Sequence, residues 1–327
     1  MKRLSPTTTL LLLGPLLGEL VSAHQTLFQF INPLAFVLTA LPYGFGALIC
    51  RELMVRWGKG WVSLVLLGIA YGLYEEAVVA RSFWDPDWAE LGPLRDYTYW
   101  RGITWTYAEV LIHFHLTISI ISSVALAHIL HPAHRHESWL SNRGLVICFV
   151  GLALWTPALV AINPFMPPTG GFVLACLVIV GLGVLAWRLP AQVFSPHQGT
   201  ATRPFWYGVV AAVNMTVVFI TVFMLPEADP GWLAAWPVVF VFVALFDLGA
   251  FWLILRWSGN GTTWDDRHKL ALVSGLLAFF IVMNVFKDLD EGFGGSIFVA
   301  IAATWGLWKL WEQTKIRYTS GKTVQAA

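Results

Sequence analysis

The chain has 327 residues, of which 57% are hydrophobic and only 12% are charged. Soluble domains carry about 25% charged residues, so this composition excludes an ordinary soluble protein and indicates one that lies in a lipid bilayer. The formal net charge is +1, and the basic residues form no patch that would indicate nucleic-acid binding. The cysteines fall inside apolar runs and match neither a disulfide framework nor a zinc motif: Cys50, Cys148 and Cys176.

The N-terminal stretch 1–23 has a basic start, an apolar middle and small residues at its end, a pattern typical of a signal peptide. Glu19 inside the apolar part favours a retained membrane span instead. In both cases the following helix begins on the outer side, so the remaining topology is the same.

A membrane-spanning helix needs about 20 largely apolar residues. The pattern predicts an all-α polytopic bundle that forms one membrane domain over 1–327, without an internal repeat. Its ten predicted spans are roughly 8–23, 33–53, 61–82, 103–130, 144–163, 171–189, 205–225, 235–256, 269–287 and 294–311.

Basic residues divide unequally between the two sides of this topology. Of the 20 Lys and Arg residues, four fall on one side, which leaves sixteen on the side of both termini; the four are Arg81, Arg95, Arg101 and Lys287. Because cytoplasmic loops are enriched in Lys and Arg, we predict cytoplasmic termini and an external loop over 83–102. Its Trp and Tyr residues are typical of an interfacial cap.

The third predicted span ends in the stretch "YGLYEEAVVARSFWDP", from Tyr71 to Pro86, which contains two adjacent glutamates. A central charge in a membrane helix costs about 2.5–3.5 kcal/mol on insertion scales, so such residues usually line a protein interior or a wet cavity. The intramembrane ionisable residues are few: Glu19, Glu75, Glu76, Glu109, His113, His115 and Asp247.

Several of these residues are predicted to lie at the same depth below the outer membrane surface. Glu76 lies six residues before the outer end of the third span, and Glu109 lies six residues into the fourth, so both are about 9 Å deep. His113 follows Glu109 by one turn on the same face. If the two spans pack, Glu75 or Glu76 meets Glu109 and His113, with Glu19 at a similar depth and Asn284 near enough to join.

Three functions remain open for this constellation. The first is a hydrolase-like site with Glu75 or Glu76 as base, His113 as acid–base partner and Glu109 orienting it; Glu76 and His113 are also candidate ligands for a divalent, zinc-like metal. The second is a proton-coupled small-molecule transporter that uses Glu19, Glu75, Glu76 and Asp247. The third is a non-catalytic scaffold in which protonated glutamates are hydrogen-bonded structural groups.

Other polar residues favour structural roles. His115 lies about 200° around the helix from His113, so both cannot face one site, and His115 is predicted to be a hydrogen-bonded packing residue. Arg51 and Glu52 are predicted to form an ion pair at the cytoplasmic boundary. The histidines of "HILHPAHRHE" are predicted to lie in a solvated loop: His128, His131, His134 and His136.

The double-glutamate helix followed by a histidine-bearing helix resembles uncharacterised multi-spanning bacterial membrane proteins, which implies a bacterial inner-membrane location and the bilayer as partner. It also partly resembles the CPBP (CAAX-processing) intramembrane proteases. That resemblance implies water activation or metal contact at Glu75-Glu76, and a second motif at His113, with a membrane-embedded substrate. Arg81 follows Glu76 by five residues where that family has four, and the residue four before His113 is Glu109 where it has Phe.

Overall fold

The computed structural model describes residues 4–92, 94–162, 164–194, 201–228, 235–259, 261–290 and 292–325. The helices in this part of the chain are α1 (Pro6–Pro15), α2 (Leu27–Phe30), α3 (Pro33–Arg56), α4 (Trp61–Leu73), α5 (Leu94–Tyr97), α6 (Trp105–Phe114), α7 (Ser123–Leu130), α8 (Asn142–Ile162), α9 (Thr169–Arg188), α10 (Pro204–Phe223), α11 (Leu225–Ala228), α12 (Trp236–Trp257), α13 (Asp266–Asp290) and α14 (Ser296–Gln325). The strands β1 (Tyr99–Trp100) and β2 (Ile103–Thr104) form a small antiparallel hairpin.

Three of these helices continue as π-helix. α1 is extended by Leu16–Val21, α4 by Tyr74–Val79, and α6 by His115–Ser122, which joins it to α7. A π-helical turn closes an i→i+5 hydrogen bond, is rare, and often occurs at functional sites. Each of the three segments carries ionisable residues that the sequence places inside the membrane.

The predicted all-α polytopic bundle is confirmed. Eight helices, counted among the described residues, are long and apolar enough to cross a membrane; they include α4 and α6–α7 with their π-helical extensions. The first predicted span corresponds to a shorter apolar helix over Pro6–Val21. The tenth lies within α14, which is not among the eight. All ten predicted segments are therefore helical, with bounds within a few residues at most ends.

Contacts between the loops define two ends of the bundle. At one end Thr9 Oγ1 lies 2.8 Å from His131 Nε2, Lys59 Nζ donates to Leu189 O at 2.6 Å, and Arg317 donates to Ile129 O at 2.8 Å. This end collects the loops with most of the basic residues, which agrees with the predicted alternation. We call it the basic end, and its cytoplasmic location stays a prediction.

At the opposite end the segment between α4 and α6 folds into a cap. Phe83, Trp84 and Leu91 are buried in it, and Thr104 N–H donates to Phe83 O at 2.9 Å. The rings of Trp105 and Trp236 stack with centroids 6.3 Å apart. The segment 83–102 is thus a folded cap over this end of the bundle, and its place at the membrane interface stays a prediction.

Glycines allow two pairs of helices to approach closely: α1 with α3, and α4 with α6. A Cβ added at Gly14 of α1 would lie 2.7 Å from Tyr43 O of α3, which is closer than real atoms allow. At Gly72 of α4 a Cβ would lie 3.2 Å from both the His115 Cβ and the Ile112 Cα. Small residues at helix contacts are typical of membrane bundles, where packing drives helix association.

Candidate functional site

Four buried side chains from three helices meet near the cap, and we call them the outer cluster: Glu19, Glu75, Glu76 and His115. All four belong to the π-helical segments that extend α1, α4 and α6. The ionisable groups of Glu19, Glu76 and His115 all lie close enough to the Glu75 carboxyl to interact with it electrostatically. The outer cluster therefore combines three carboxyl groups with one imidazole away from bulk water.

Glu76 and His115 form the closest contact in the outer cluster. His115 Nε2 lies 2.6 Å from Glu76 Oε1, and Glu76 Oε2 accepts a hydrogen bond from the Ser82 hydroxyl. His115 Nδ1 lies 3.2 Å from Ser119 Oγ. Both imidazole nitrogens and both carboxyl oxygens of this pair are thus engaged, so the tautomer of His115 is tied to the protonation of Glu76.

Two tyrosines hold the His115 ring in place. The Tyr43 ring stacks on it with centroids 5.7 Å apart, and the Tyr71 ring meets it edge-on at the same distance. Tyr43 comes from α3 and Tyr71 from α4. The imidazole is therefore fixed between two helices and points its Nε2 at Glu76.

The other two carboxyl groups are less well paired. Within the described part of the chain, Glu75 Oε2 and Glu19 Oε2 are buried and have no hydrogen-bond partner. Burying an ionised carboxylate without such partners is costly, and three carboxyls beside a single imidazole cannot all be charged at low cost.

A polar route leads from the outer cluster to the surface of the cap. His24 Nε2 lies 3.9 Å from Glu19 Oε2 and 3.4 Å from Glu90 Oε1. The side chains of His24 and Glu90 are 49% and 48% exposed, whereas that of Glu19 is only 7% exposed. His24 thus stands between a carboxyl in contact with solvent and a buried one.

The charges around His24 also set its proton affinity. Partial burial lowers the pKa of His24, but the carboxylates of Glu19 and Glu90 raise it, and the net result is a pKa above the usual 6.5. An imidazole with a raised pKa that lies between an exposed and a buried carboxyl has the position of a group that exchanges protons between them.

A second polar group, which we call the lateral cluster, consists of Glu109, His113, Asn214 and Asp247. His113 Nδ1 lies 3.0 Å from Asp247 Oδ2, and Asn214 Nδ2 donates to Asp247 Oδ1 at 2.8 Å. The charge of Asp247 acts on Glu109. Asp247 is 27% exposed on α12, so this cluster lies at the side of the bundle, where α10 and α12 meet α6.

The structure divides the predicted site between these two clusters. Glu76 contacts His115, whereas His113 contacts Asp247. Glu75 lies within electrostatic range of His115, and Glu109 within that of Asp247. His115 is buried and hydrogen-bonded, as predicted, but the sequence did not predict that Glu76 is one of its partners, at 2.6 Å. The prediction that the two histidines face different ways agrees with their different partners. Asn284 donates to Val21 O at 2.8 Å and so fixes the end of the first π-helical segment.

A stripe of small residues on α4 explains why His115 is the partner. Gly68 and Gly72 are four residues apart, and Glu76 follows after four more, so all three lie near one face. Cβ atoms added at these glycines would meet Leu116, Ile120, His115 and Ile112. A G-x-x-x-G pair marks a helix contact, and this signal places Glu76 on the face of α4 that packs against a neighbouring helix.

Arg81, compared above with the arginine of the protease motif, forms its hydrogen bond outside the outer cluster. It follows the π-helical segment with a positive φ of 62° and donates to Phe165 O at 2.7 Å. In the described ranges no group of three or more His, Cys, Asp or Glu side chains is arranged to hold a metal ion. Glu76 and His113, the predicted ligand pair, belong to different clusters.

At the basic end a third group of charged side chains, the inner cluster, lies around Arg51 and Glu52. Both side chains are 0% exposed, and Arg51 Nη1 donates to Glu52 Oε1 at 2.6 Å. Glu52 also accepts from Arg56 at 3.1 Å and from Trp139 N–H at 2.8 Å. The predicted boundary ion pair is thus confirmed, but it is fully buried.

The histidine-rich loop is less solvated than predicted. His128 is buried, with its ring 6.2 Å from Trp61 and 5.7 Å from Trp139 between centroids. Arg51 Nε donates to His128 Nε2 at 3.4 Å, so His128 belongs to the inner cluster. His134 and His136 are exposed, as expected.

A family model described as an uncharacterized membrane protein family matches residues 9–312. The chain belongs to this family. The matched range contains the outer, lateral and inner clusters and nearly all of the helices. No curated protein and no solved structure matches the chain. Membership of this family and the apolar helices together identify a multi-pass integral membrane protein.

Proposed function

We propose that the protein is a proton-coupled carrier of a small molecule, and that the outer cluster is its proton-binding site. The observation that carries this proposal is the convergence of three buried carboxyls on His115 in the membrane interior. Ionisable chains in membrane proteins commonly mark proton relays and transport pathways. Three of the four carboxyls predicted as proton carriers belong to this cluster; the fourth, Asp247, belongs to the lateral cluster.

The route through His24 supports this function. Glu90 and His24 are half exposed on the cap, and Glu19 is buried next to them. Protons from the outer side would pass from Glu90 and His24 to Glu19, and then to Glu75, Glu76 and His115. The π-helical segments that carry these groups deviate from regular helix and could change shape as the charge of the cluster changes.

Reconstituted liposomes containing a trapped pH-sensitive dye would test the proposal. Panels of amino acids, sugars and nucleosides are added outside, and a carrier gives a change of internal pH with its substrate. We expect Glu76→Gln to abolish this signal, because an amide cannot exchange the proton. Glu137→Gln, in an exposed loop at the basic end, is the matched control and should keep it.

Proton binding can be measured without knowing the substrate. Infrared spectra of the purified protein follow the carbonyl band of protonated carboxyl groups as pH changes from about 5 to 8, the range in which histidine-linked sites titrate. We expect a pH-dependent band that Glu75→Gln and Glu76→Gln alter. A band that these changes leave untouched would contradict the proposal.

A hydrolase-like site is the second candidate, and the contact between His115 and Glu76 favours it. A carboxyl within 2.6 Å of an imidazole, beside the unpartnered oxygen of Glu75, has the geometry of a general base with its orienting group. Fluorogenic membrane peptides test this alternative. Cleavage that is lost in both Glu76→Gln and His115→Asn, with no pH signal in liposomes, would favour hydrolysis over transport.

A further inference from the structure

An apolar groove of about 700 Å³ lies between α10 and α12, away from the outer cluster. Its walls include Trp206, Val210 and Val213 of α10, and Leu245, Gly249 and Trp257 of α12. Leu245 is 63% exposed. Both helices are membrane spans, so this exposed apolar surface faces the hydrocarbon of the bilayer.

The length of the groove matches one leaflet. Leu245 and Trp257 both line it, and twelve residues of α-helix rise about 18 Å. Half of a hydrocarbon core that is about 30 Å thick is about 15 Å. The tryptophans Trp206 and Trp257 lie at one end of the groove, and Trp is typical of the membrane interface. The groove thus runs from the interface at the basic end to about the middle of the membrane.

Positive charge surrounds the interfacial end. Arg203 immediately precedes α10, between the lining residues Thr202 and Trp206, and it is exposed. Arg256 is also exposed, and its guanidinium lies 5.4 Å from the centre of the Trp252 ring. Arg256 follows Gly249 by two helical turns, so it lies near the face that lines the groove. The N-terminus of α10 adds a partial positive charge at the same place.

We propose that this groove binds an anionic phospholipid, with one acyl chain between α10 and α12 and the phosphate at Arg203 and Arg256. The apolar walls suit the chain, their length suits one leaflet, and the two guanidinium groups suit the phosphate. If the basic end is cytoplasmic, the groove opens to the leaflet in which anionic lipids attract basic segments. A zwitterionic lipid would fill the same walls but would gain less from the two arginines.

Native mass spectrometry of the detergent-purified protein with added phosphatidylglycerol or phosphatidylcholine tests this proposal. We expect the wild type to retain phosphatidylglycerol preferentially. The double change Arg203→Gln and Arg256→Gln should weaken that binding about 30-fold, since each basic group near a membrane surface contributes about 1 kcal/mol of attraction and about 1.4 kcal/mol corresponds to a factor of ten. Arg188→Gln, at the exposed end of α9, is the matched control and should change nothing.

A second variant blocks the chain and leaves the charges in place. A Cβ added at Gly249 meets no atom within 4 Å, so Gly249→Leu can fill the groove without disturbing the helices. Gly183→Leu on α9, where a Cβ also has open space, is its control. We expect Gly249→Leu to reduce retention of both lipids, and Gly183→Leu to leave it unchanged. Melting temperatures equal to wild type would show that all variants are folded.

Two outcomes would overturn the proposal. Equal retention of phosphatidylglycerol and phosphatidylcholine by the wild type would mean that the protein binds lipids without preference for an anionic headgroup. Retention of phosphatidylglycerol by Gly249→Leu at the wild-type level would place the lipid elsewhere. Binding that weakens as salt increases, as screening of exposed charges requires, would support the role of the two arginines.

Discussion

The inner and outer clusters are both buried groups of charged side chains, but they differ in how completely they are paired. In the inner cluster, Glu52 accepts hydrogen bonds from Arg51, Arg56 and Trp139 N–H. Arg51 in turn donates to Glu52, to the carbonyls of His134 and Arg135, and lies 3.6 Å over the Trp139 ring. Opposite charges therefore meet, and their hydrogen-bonding groups are used.

The outer cluster lacks this balance. Glu19, Glu75 and Glu76 share His115 as the buried basic partner, and oxygens of Glu19 and Glu75 have no hydrogen-bond partner among the described residues. Native structures satisfy most buried polar groups, so unsatisfied ones call for an explanation. The comparison teaches that the inner cluster, whose groups are paired, holds the loops to the basic end, whereas the incomplete pairing of the outer cluster is the feature on which our proposal of proton binding rests.

Breaking the inner cluster should have the largest effect on stability. Arg51→Met removes the guanidinium and leaves Glu52 as a buried carboxylate that has lost its closest charged partner. Removing one partner of a buried ion pair costs about 3–5 kcal/mol. We expect a large fall in the melting temperature of the detergent-purified protein. Arg188→Met, which removes an exposed guanidinium at the same end, should leave it nearly unchanged, and a similar fall in both variants would refute the structural role of the pair.

The contact between α4 and α6 should be the next most sensitive. Gly72→Leu places a side chain where even a Cβ would lie 3.2 Å from the His115 Cβ and the Ile112 Cα. Overpacking of this kind costs about 1–3 kcal/mol and would move His115 away from Glu76.

For Gly72→Leu, a fall in melting temperature would show the overpacking, and an altered infrared band of the carboxyl groups would show the displacement of His115 from Glu76. Gly183→Leu is again the control, because a Cβ there meets no atom within 4 Å. If Gly72→Leu melted like the wild type, the close packing of α4 on His115 would be contradicted.

Most of the fold could be predicted from the sequence, because apolar segments of about 20 residues are a strong signal in membrane proteins. All ten predicted segments are helical, and the loops with most basic residues lie at one end. The tenth segment was predicted to end at 311, but α14 continues to Gln325, because the polar residues beyond 311 carry no signal for a membrane span. The Trp and Tyr residues of 83–102 indicated a cap, but the β1–β2 hairpin within it left no comparable signal in the sequence.

The candidate site was predicted only in part. Depth along the helices correctly grouped Glu19 with Glu75 and Glu76, but depth says nothing about which face of α6 turns towards α4. His113 was therefore chosen where His115 is the partner. The three π-helical segments change which residues share a face, and regular helical geometry could not anticipate them. His24 and Glu90 were missed because they lie in loops whose path only the folded chain defines.

Replacing Glu52 of the inner cluster and Glu76 of the outer cluster by glutamine tests whether the two clusters differ in how they depend on a carboxylate. At Glu52 the partners are guanidinium groups and a backbone N–H, which can only donate, so a glutamine NH2 group would leave donors facing each other. We expect Glu52→Gln to lose about 1–3 kcal/mol, the cost of a buried group without its hydrogen bond. Ser82 and His115, the partners of Glu76, can each donate or accept, so Glu76→Gln should lose much less.

Paired melting curves of Glu52→Gln and Glu76→Gln in the same detergent measure this difference, and the infrared carboxyl band should change only in the second. A loss of several degrees in Glu76→Gln with no change in the carboxyl band would make the outer cluster a structural element like the inner one. It would then carry no argument for proton coupling.

The smallest expected effect concerns the pH dependence contributed by His24 on the cap. The pKa of His24 in the folded protein is raised above its usual 6.5, because the carboxylates of Glu19 and Glu90 outweigh the effect of partial burial. A raised pKa means that folding favours the protonated form. The stabilisation is therefore complete below about pH 6.5 and disappears as the pH rises through the higher value of the folded state.

His24→Gln should accordingly lower the melting temperature slightly at about pH 6 and leave it unchanged above the folded-state pKa, where the imidazole is neutral in both the folded and the unfolded protein. The effect is small because the side chain is half exposed and solvent screens its contacts. His136→Gln, in an exposed loop at the other end, is the control and should show no such trend. A difference between His24→Gln and wild type that grew with pH would mean that the neutral imidazole is the favoured form. Glu19 would then not be linked to the surface through a protonated His24, and the outer cluster would need another route for its proton.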